Sequence, residues 1–352
     1  MSKLKVAVLG ASGAVGQRFI QLLEHHPWFE VGEVVGKTSA GRRYGEATHW
    51  ILDGAPPPRV AEMIVKPLGD ELESPLVFSA LPKEAALEVE VPLASKGHVV
   101  ATNASAYRME ADVPLLLPEV NADHVRLVDV QRKNRGWSTG ALVANSNCTV
   151  MPVVMSLAPL MSFGVEKVLM VSEQAVSGAG YPGVPSLDII DNILPYVPGD
   201  EDKMEAESRK MLGRLDSESV EMAQFTASAT CTRVPVVDGH TVVVSVQLRA
   251  NPSLEDVITA WRDYRPADEV AHLPSSPQPP IHYLSQTDRP QPRRDRDAGR
   301  GMAVSIGRLR ACPVLGYKYV TLSHNTIRGA AGSSILNAEL LAVKGYIHGF
   351  SA

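Results

Sequence analysis

Val6-Ala-Val-Leu9, then Gly10-Ala-Ser-Gly13-Ala-Val-Gly16, then Gln17-Arg-Phe-Ile-Gln-Leu-Leu23 is the stretch that decides the fold. An unbroken apolar run ending at glycine reads as a buried strand. Phe19, Ile20, Leu22 and Leu23 then recur at helical spacing through His26. Between the two elements lies a G-x-x-G-x-x-G turn. Glycine there permits tight backbone angles and close approach to a pyrophosphate, and the following helix aims its N-terminus at negative charge. A glycine triplet alone can be a merely structural turn, but its strand-turn-helix setting predicts a dinucleotide site with Gly10, Ser12, Gly13, Ala14, Val15 and Gly16 at the phosphates.

Moving outward, Phe29–Val35 reads as a second strand that ends in Gly36-Lys-Thr-Ser-Ala-Gly-Arg42-Arg43. An NAD site places an acidic residue here for the ribose hydroxyls, whereas hydroxyls and a cation suit a 2′-phosphate. NADP is therefore the expected cofactor, contacted by Thr38, Ser39 and Arg42, with Arg43 a solvated surface charge. Strand-like runs recur at Leu76–Ser79 and His98–Ala101 around a helical stretch from Pro82 to Lys96. This alternation predicts an α/β Rossmann-like, doubly wound parallel sheet. Beyond residue 150 the β-rich segments Val165–Glu173, Phe225–Pro235 and Thr241–Leu248 follow without regular helices between them, which predicts a second, α+β domain with a mixed sheet. Leu273–Gly301 carries six prolines and five arginines and reads as an ordered excursion, an inter-subunit arm or a linker. A long helix is expected within Ile327–His348.

Composition narrows the function classes. The 352 residues allow two domains, and 45% apolar with 21% charged residues is globular usage. No stretch approaches the roughly 20 apolar residues of a membrane span. The net charge of −5 argues against nucleic acid or an anionic membrane as the main partner, so an anionic small molecule needs a local basic cluster. The start, Met1-Ser-Lys-Leu-Lys, runs straight into a strand and not into a signal-peptide core, so a cytoplasmic protein is expected. Cys148, Cys231 and Cys312 are too few and too scattered for a disulfide framework, and no spacing suggests a metal.

Asn145-Ser-Asn147-Cys148-Thr149 falls where the first domain should end, ahead of a helical stretch with Pro152 in its first turn. Cys148 is expected to cap that helix, which lowers a thiol's pKa and makes thiolate available. Most cysteines are inert hydrophobes, and Cys231 and Cys312, in β-like surroundings, keep that reading. A thiolate beside a nicotinamide site points to acylating aldehyde-dehydrogenase chemistry through a thioester. Arg233-Val-Pro-Val-Val-Asp-Gly-His240 offers a substrate grip and a proton carrier from one hairpin; taken alone, each could be an ordinary surface or turn residue.

At these residues the chain resembles the aspartate-semialdehyde dehydrogenase family, in its archaeal and fungal branch. The likeness rests on the glycine turn, Ser79-Ala-Leu-Pro82, Asn103-Ala-Ser-Ala-Tyr-Arg108, Ser146-Asn-Cys148-Thr, Gln174 to Ser186, Glu207-Ser-Arg-Lys210, Arg233 with His240, and Asn325 to Gly332. It implies an NADP-binding domain over residues 1–147 completed by the C-terminal helix near 330–352, a catalytic and dimerisation domain over 148–329, and a homodimer or homotetramer. The implied reaction is NADPH-dependent reductive dephosphorylation of L-aspartyl 4-phosphate to L-aspartate 4-semialdehyde, on the way to lysine, threonine and methionine.

Carried over by residue, Cys148 is the nucleophile, Gln174 orients the substrate or the acyl intermediate, Arg233 grips the substrate carboxylate and His240, with a pKa near neutrality, is the acid/base group. Glu207 is assigned to the ammonium, and Arg108, Asn147 and Lys210 to the phosphate. Backbone N–H groups at the helix start, with Asn147, are the expected oxyanion donors. Ser79, Leu81, Ser177, Gly178 and Asn325 complete the cofactor contacts. Without the resemblance, Glu207 and Lys210 read as a solvated helix pair, and in either reading their loss should barely change thermal stability. Glu173 departs from expectation as a carboxylate beside Gln174, but strand alternation turns it to the opposite face. Two alternatives stand: malonyl-CoA reductase, whose substrate lacks the amino group, and a catalytically silent dinucleotide-binding protein.

Overall fold

The computed structural model describes residues 3–350. Its first sheet contains β1 (Leu4–Leu9), β2 (Phe29–Val35), β3 (Leu76–Ser79), β4 (Val99–Thr102), β5 (Leu115–Leu116) and β6 (Ala141–Asn145), in the order β2-β1-β3-β4-β6-β5 with every pair parallel. Every residue of β3, β4 and β6 is buried. Helices cover both faces of such a sheet, which explains why its strands read as continuous apolar runs. The chain passes from β1 to β2 on one side and then returns to β3 on the other. That reversal opens a crevice at the carboxyl ends of the strands, where ligands of doubly wound folds bind.

The second sheet contains β7 (Val165–Gln174), β10 (Thr226–Arg233), β11 (His240–Leu248), β12 (Ile281–Leu284), β13 (Val304–Cys312) and β14 (Gly316–Ser323), while β8 (Arg214–Leu215) and β9 (Val220–Glu221) form a separate ribbon. Its order is β10-β7-β11-β14-β13-β12; the β7/β10 and β12/β13 pairs are parallel and the others antiparallel. From Val168 onward strand β7 alternates strictly. Val168, Met170, Ser172 and Gln174 are buried, the first two in one core with Val153 and Met204, whereas Leu169, Val171 and Glu173 are exposed. Glu173 thus faces away from Gln174, as the alternation requires.

The proline- and arginine-rich segment is ordered. It supplies the edge strand β12 and a short helix, Pro292–Asp295, and Arg296 Nη1 donates to Asp238 O at 3.0 Å, so the linker reading gives way to a brace on the hairpin turn. The last helix, Gly332–Val343, places Ile335, Leu336, Leu340 and Leu341 in one core with Val6, Val8 and Phe78 of the first sheet and Phe19 of the helix that follows the glycine turn. Among the described residues no helix is long and apolar enough to cross a membrane.

Candidate active site

Cys148 follows β6 at the crevice. The backbone there is arranged by its neighbour: Asn147 Oδ1 accepts the Thr149 N–H at 2.8 Å and Asn147 O accepts the Val150 N–H at 3.0 Å, ahead of the helix Val150–Leu157. Asn147, rather than Cys148, therefore supplies the side-chain acceptor at this end of the helix, and Cys148 lies in the turn that leads into it. Gly329 presses its backbone onto the cysteine; a Cβ there would lie 2.5 Å from Cys148 Cβ. Only glycine fits.

The facing wall comes from one end of the second sheet. Gln174 ends β7, Arg233 ends β10 in register with it, and His240 begins β11. A single residue ties two of them, since Ala175 N–H donates to His240 Nδ1 at 3.0 Å and Ala175 O accepts from Arg233 Nη1 at 2.8 Å. With Nδ1 accepting, the neutral ring carries its proton on Nε2, which is buried and unpartnered. A Cβ on Gly178 would lie 2.9 Å from Arg233 Nη1 and 3.1 Å from His240 Nε2, so the two groups converge on one point. Asn325 fixes the surrounding loops, accepting from Gly239 N–H and donating to Ser177 Oγ, both at 2.8 Å.

Two expected pKa values are overturned. Burial, with the Asp200 carboxylate second, pushes the Cys148 thiol up to about 11, against the pull of Arg108, Thr149 and Arg233. Burial and the Arg233 charge push His240 down to about 3, so the ring is neutral through the physiological range. Neither thiolate nor imidazolium is the form in which the protein alone holds these groups.

The helix Asp200–Met211 corrects three further expectations. Glu207 is 2% exposed, and its oxygens accept Arg108 Nη1 at 3.0 Å and Asn147 N–H at 2.7 Å, so it is not open to a substrate ammonium. Lys210 Nζ donates to the carbonyls of Arg108, Glu110 and Val113 at 2.7, 2.7 and 2.9 Å. All three ammonium hydrogens are spent on the 108–113 loop, so Lys210 does not face a phosphate. Asn147 is likewise engaged, through its N–H, its Oδ1 and, by Nδ2, Asp200. Arg108 has a donor to spare: Nη2 donates to Asn103 O at 2.7 Å, but Nε is buried without a partner. Within the Asn147–Val150 run, the Cys148 N–H has no acceptor among the described residues.

Asp200 escaped the sequence reading. It is buried beside Gln174, Asn147 and Lys203, and its charge reaches Cys148, Arg233 and His240. A signal was present, because Asp200, Lys203, Glu207 and Lys210 recur at spacings that share one helix face.

Across the crevice, the glycine turn forms a close cradle. Gly10 has φ of 70°, and its Cβ would lie 2.8 Å from Ala80 O and 3.6 Å from Leu81 Cδ2; on Gly16 a Cβ would lie 2.2 Å from Gly10 O. Ser12, Gly13, Ala14 and Val15 continue the turn into the helix Ala14–Leu23. At the end of β2, Ser39 Oγ is buried and unpartnered, 2.6 Å from where a Gly36 Cβ would be. Thr38 and Arg42 are exposed beside it, Arg42 using one N–H on Glu46 O, while Arg43 pairs with Glu62 at the surface. Ser79 reaches the same edge, but its side chain is buried against Glu90. These residues fit a dinucleotide carrying a 2′-phosphate: tight backbone for the pyrophosphate, hydroxyls and one open cation for the extra charge.

Comparison with known proteins accords with this geometry. The family described as "Semialdehyde dehydrogenase, NAD binding domain" matches residues 5–128, and "Semialdehyde dehydrogenase, dimerisation domain" matches residues 157–328. A protein of Archaeoglobus fulgidus named aspartate-semialdehyde dehydrogenase is 48% identical over 96% of this chain and 98% of its own. The chain belongs to the aspartate-semialdehyde dehydrogenase family. A family member from Aspergillus fumigatus is 45% identical over 98% of this chain and 99% of its own. The crystal structure of the Candida albicans aspartate-semialdehyde dehydrogenase with NADP superposes with a TM-score of 0.91 at 41% identity, covering 98% of this chain and 100% of that one. These relatives are named aspartate-semialdehyde dehydrogenases and lend no support to the malonyl-CoA alternative. The matched dimerisation domain indicates an oligomer.

Proposed function

We propose that this chain is an oxidoreductase that converts L-aspartyl 4-phosphate to L-aspartate 4-semialdehyde with NADPH. The observation that carries the reading is the convergence of Arg233 and His240, both tied to Ala175, on the wall facing Cys148 at the mouth of a dinucleotide crevice. The remaining N–H fork of Arg233 grips the substrate carboxylate, a bidentate match that lysine could not reproduce. Arg108 Nε meets the phosphate. As phosphate and carboxylate bind, their charges are matched by Arg108 and Arg233, and the Cys148 thiol attacks the acyl carbon, its proton leaving with the expelled phosphate and a thioester remaining.

Bound NADPH supplies the hydride that reduces the thioester. The Cys148 N–H and His240 Nε2–H donate to the oxygen on which negative charge develops, replacing the Asn147 donor expected from sequence. The substrate carboxylate also offsets the Arg233 charge that holds the imidazolium down, so His240 becomes a better proton carrier when the site is filled. The thiohemiacetal then collapses, releasing the semialdehyde and the cysteine.

We further assign residues 1–147 with the C-terminal helix to cofactor binding and 148–329 to catalysis and dimerisation. A homodimer over the open face of the second sheet accounts for the exposed Leu169 and Val171, and the three free cysteines suit a reducing cytoplasm. The test is NADP reduction by purified protein with aspartate semialdehyde. It should require phosphate and vanish in Cys148→Ser, below about one per cent of wild type, with NADP binding retained, as removal of a nucleophile costs far more than 10²-fold. Faster reduction of malonyl-CoA than of aspartyl phosphate, or oxidation indifferent to phosphate, would overturn the assignment.

A further inference from the structure

Asp200 takes no part in the steps above, yet it lies at their centre. It is 7% exposed and opens the helix Asp200–Met211. Its Oδ1 accepts from Asn147 Nδ2 at 3.2 Å and from Lys203 Nζ at 2.8 Å, and its Oδ2 accepts from Gln174 Nε2 at 3.2 Å. An ionised carboxylate can only accept, so the atom that each amide turns toward it must be nitrogen. Gln174 Nε2 also donates to Ser172 Oγ at 3.3 Å. Both donors of Gln174 are then engaged, and Oε1 is the one polar atom it has left to offer.

We propose that Asp200 is a positioning residue of this reaction: it locks the Gln174 amide with Oε1 free and the Asn147 amide with nitrogen turned away, making Gln174 an acceptor for the substrate ammonium and not a donor to the acyl oxygen. This rests on the functional reading above, in which Glu207 is already bonded to Arg108 and Asn147 and the ammonium lacks an acceptor. A plain alternative is that Asp200 only pairs with Lys203 to steady the helix start.

The two differ in measurable ways when wild type is compared with Asp200→Asn, whose side chain can present its own nitrogen and release the lock. Turnover of aspartate semialdehyde with phosphate and NADP is expected to fall about 10–100-fold, the scale of a misplaced reacting group. Alkylation of Cys148 by iodoacetamide at pH 7.5 should instead become several-fold faster, because a negative charge facing the sulfur is gone. The charges left facing it are Arg108, itself paired with Glu207, and Arg233, while His240 stays neutral. Helix support alone predicts that the two rates move together or not at all.

In a Gln174→Leu background the added cost of Asp200→Asn should shrink below about threefold in turnover, since coupled residues are not additive. Should Asp200→Asn not fold, Asp200→Glu keeps the charge but moves the oxygens, and is expected to lose turnover with alkylation unchanged. Unaltered turnover in the Asp200 variant that folds, or an undiminished cost beside Gln174→Leu, overturns the proposal. Wild type that cannot oxidise the semialdehyde, while Asp200→Asn still speeds alkylation, would sink the functional reading alone.

Discussion

Replacing Lys210 by methionine keeps the unbranched stem of the side chain and deletes the ammonium that three carbonyls share. The carbonyls of Arg108, Glu110 and Val113 lie 2.7 to 2.9 Å from Nζ, and the lysine is only 4% exposed. A buried acceptor left without its donor costs about 1–3 kcal/mol. The Glu110 side of the loop is partly open to water, which would satisfy part of that loss, so the total expected is about 3–5 kcal/mol. At about 2–4 °C per kcal/mol for domains of this size, the melting temperature should drop by about 6–20 °C. Thermal unfolding followed by circular dichroism, at one protein concentration and saturating NADP, reads this directly. A weakened response to phosphate should accompany it, because Arg108 sits on the released loop. A melting temperature within about 2 °C of wild type, with the phosphate KM raised, would return Lys210 to the direct phosphate contact read from sequence and refute the brace.

Three other outcomes follow from the same geometry. Gly178→Ala sets a methyl group about 3 Å from both Arg233 and His240, and should lower kcat/KM about 10–100-fold with little change in melting temperature; unchanged kinetics would show that these groups do not meet there. Arg42→Glu places a like charge beside the 2′-phosphate, so the NADPH to NADH ratio of kcat/KM should fall at least about tenfold, and a constant ratio would locate the phosphate elsewhere. With the Cys148 thiol raised to about 11, the thiolate fraction at pH 7 is of the order of 10⁻⁴ and grows about tenfold per pH unit; alkylation without substrate should therefore climb steadily from pH 7 to pH 10, and a plateau near pH 7 would contradict the assigned environment.

Much of the fold was legible because local pattern and tertiary position agreed. The apolar run of β1, the glycine turn and the alternation of β7 each announce their role without reference to distant residues. Strand β6 was not announced, although it delivers Cys148, because Ala141–Asn145 is short and ends in polar residues. Strand β12 hid among prolines, which normally argue against a strand, and survives because it is an edge. At the site, residue types were legible but their partners were not. Cys148, Arg233 and His240 stand out as chemistry, whereas whether Glu207 faces a ligand or a neighbouring arginine depends on residues far away in sequence. Helix-start arguments gave Cys148 a low pKa; the burial that reverses it appears only when both sheets are assembled.

The shared anchor of Arg233 and His240 has a further consequence. Because both are hydrogen-bonded to the backbone of one residue, Ala175, the spacing between the group that seizes the carboxylate and the group that serves the reacting oxygen is set by one shared anchor and not by two independent loops. The wall works as a caliper. A substrate one methylene longer could keep its carboxylate in place only by pushing its carbonyl past the sulfur, and loosening one jaw to admit it would shift the other. Chain-length discrimination and proton handling are thereby inherited together, and selection on one cannot move far without rebuilding the other.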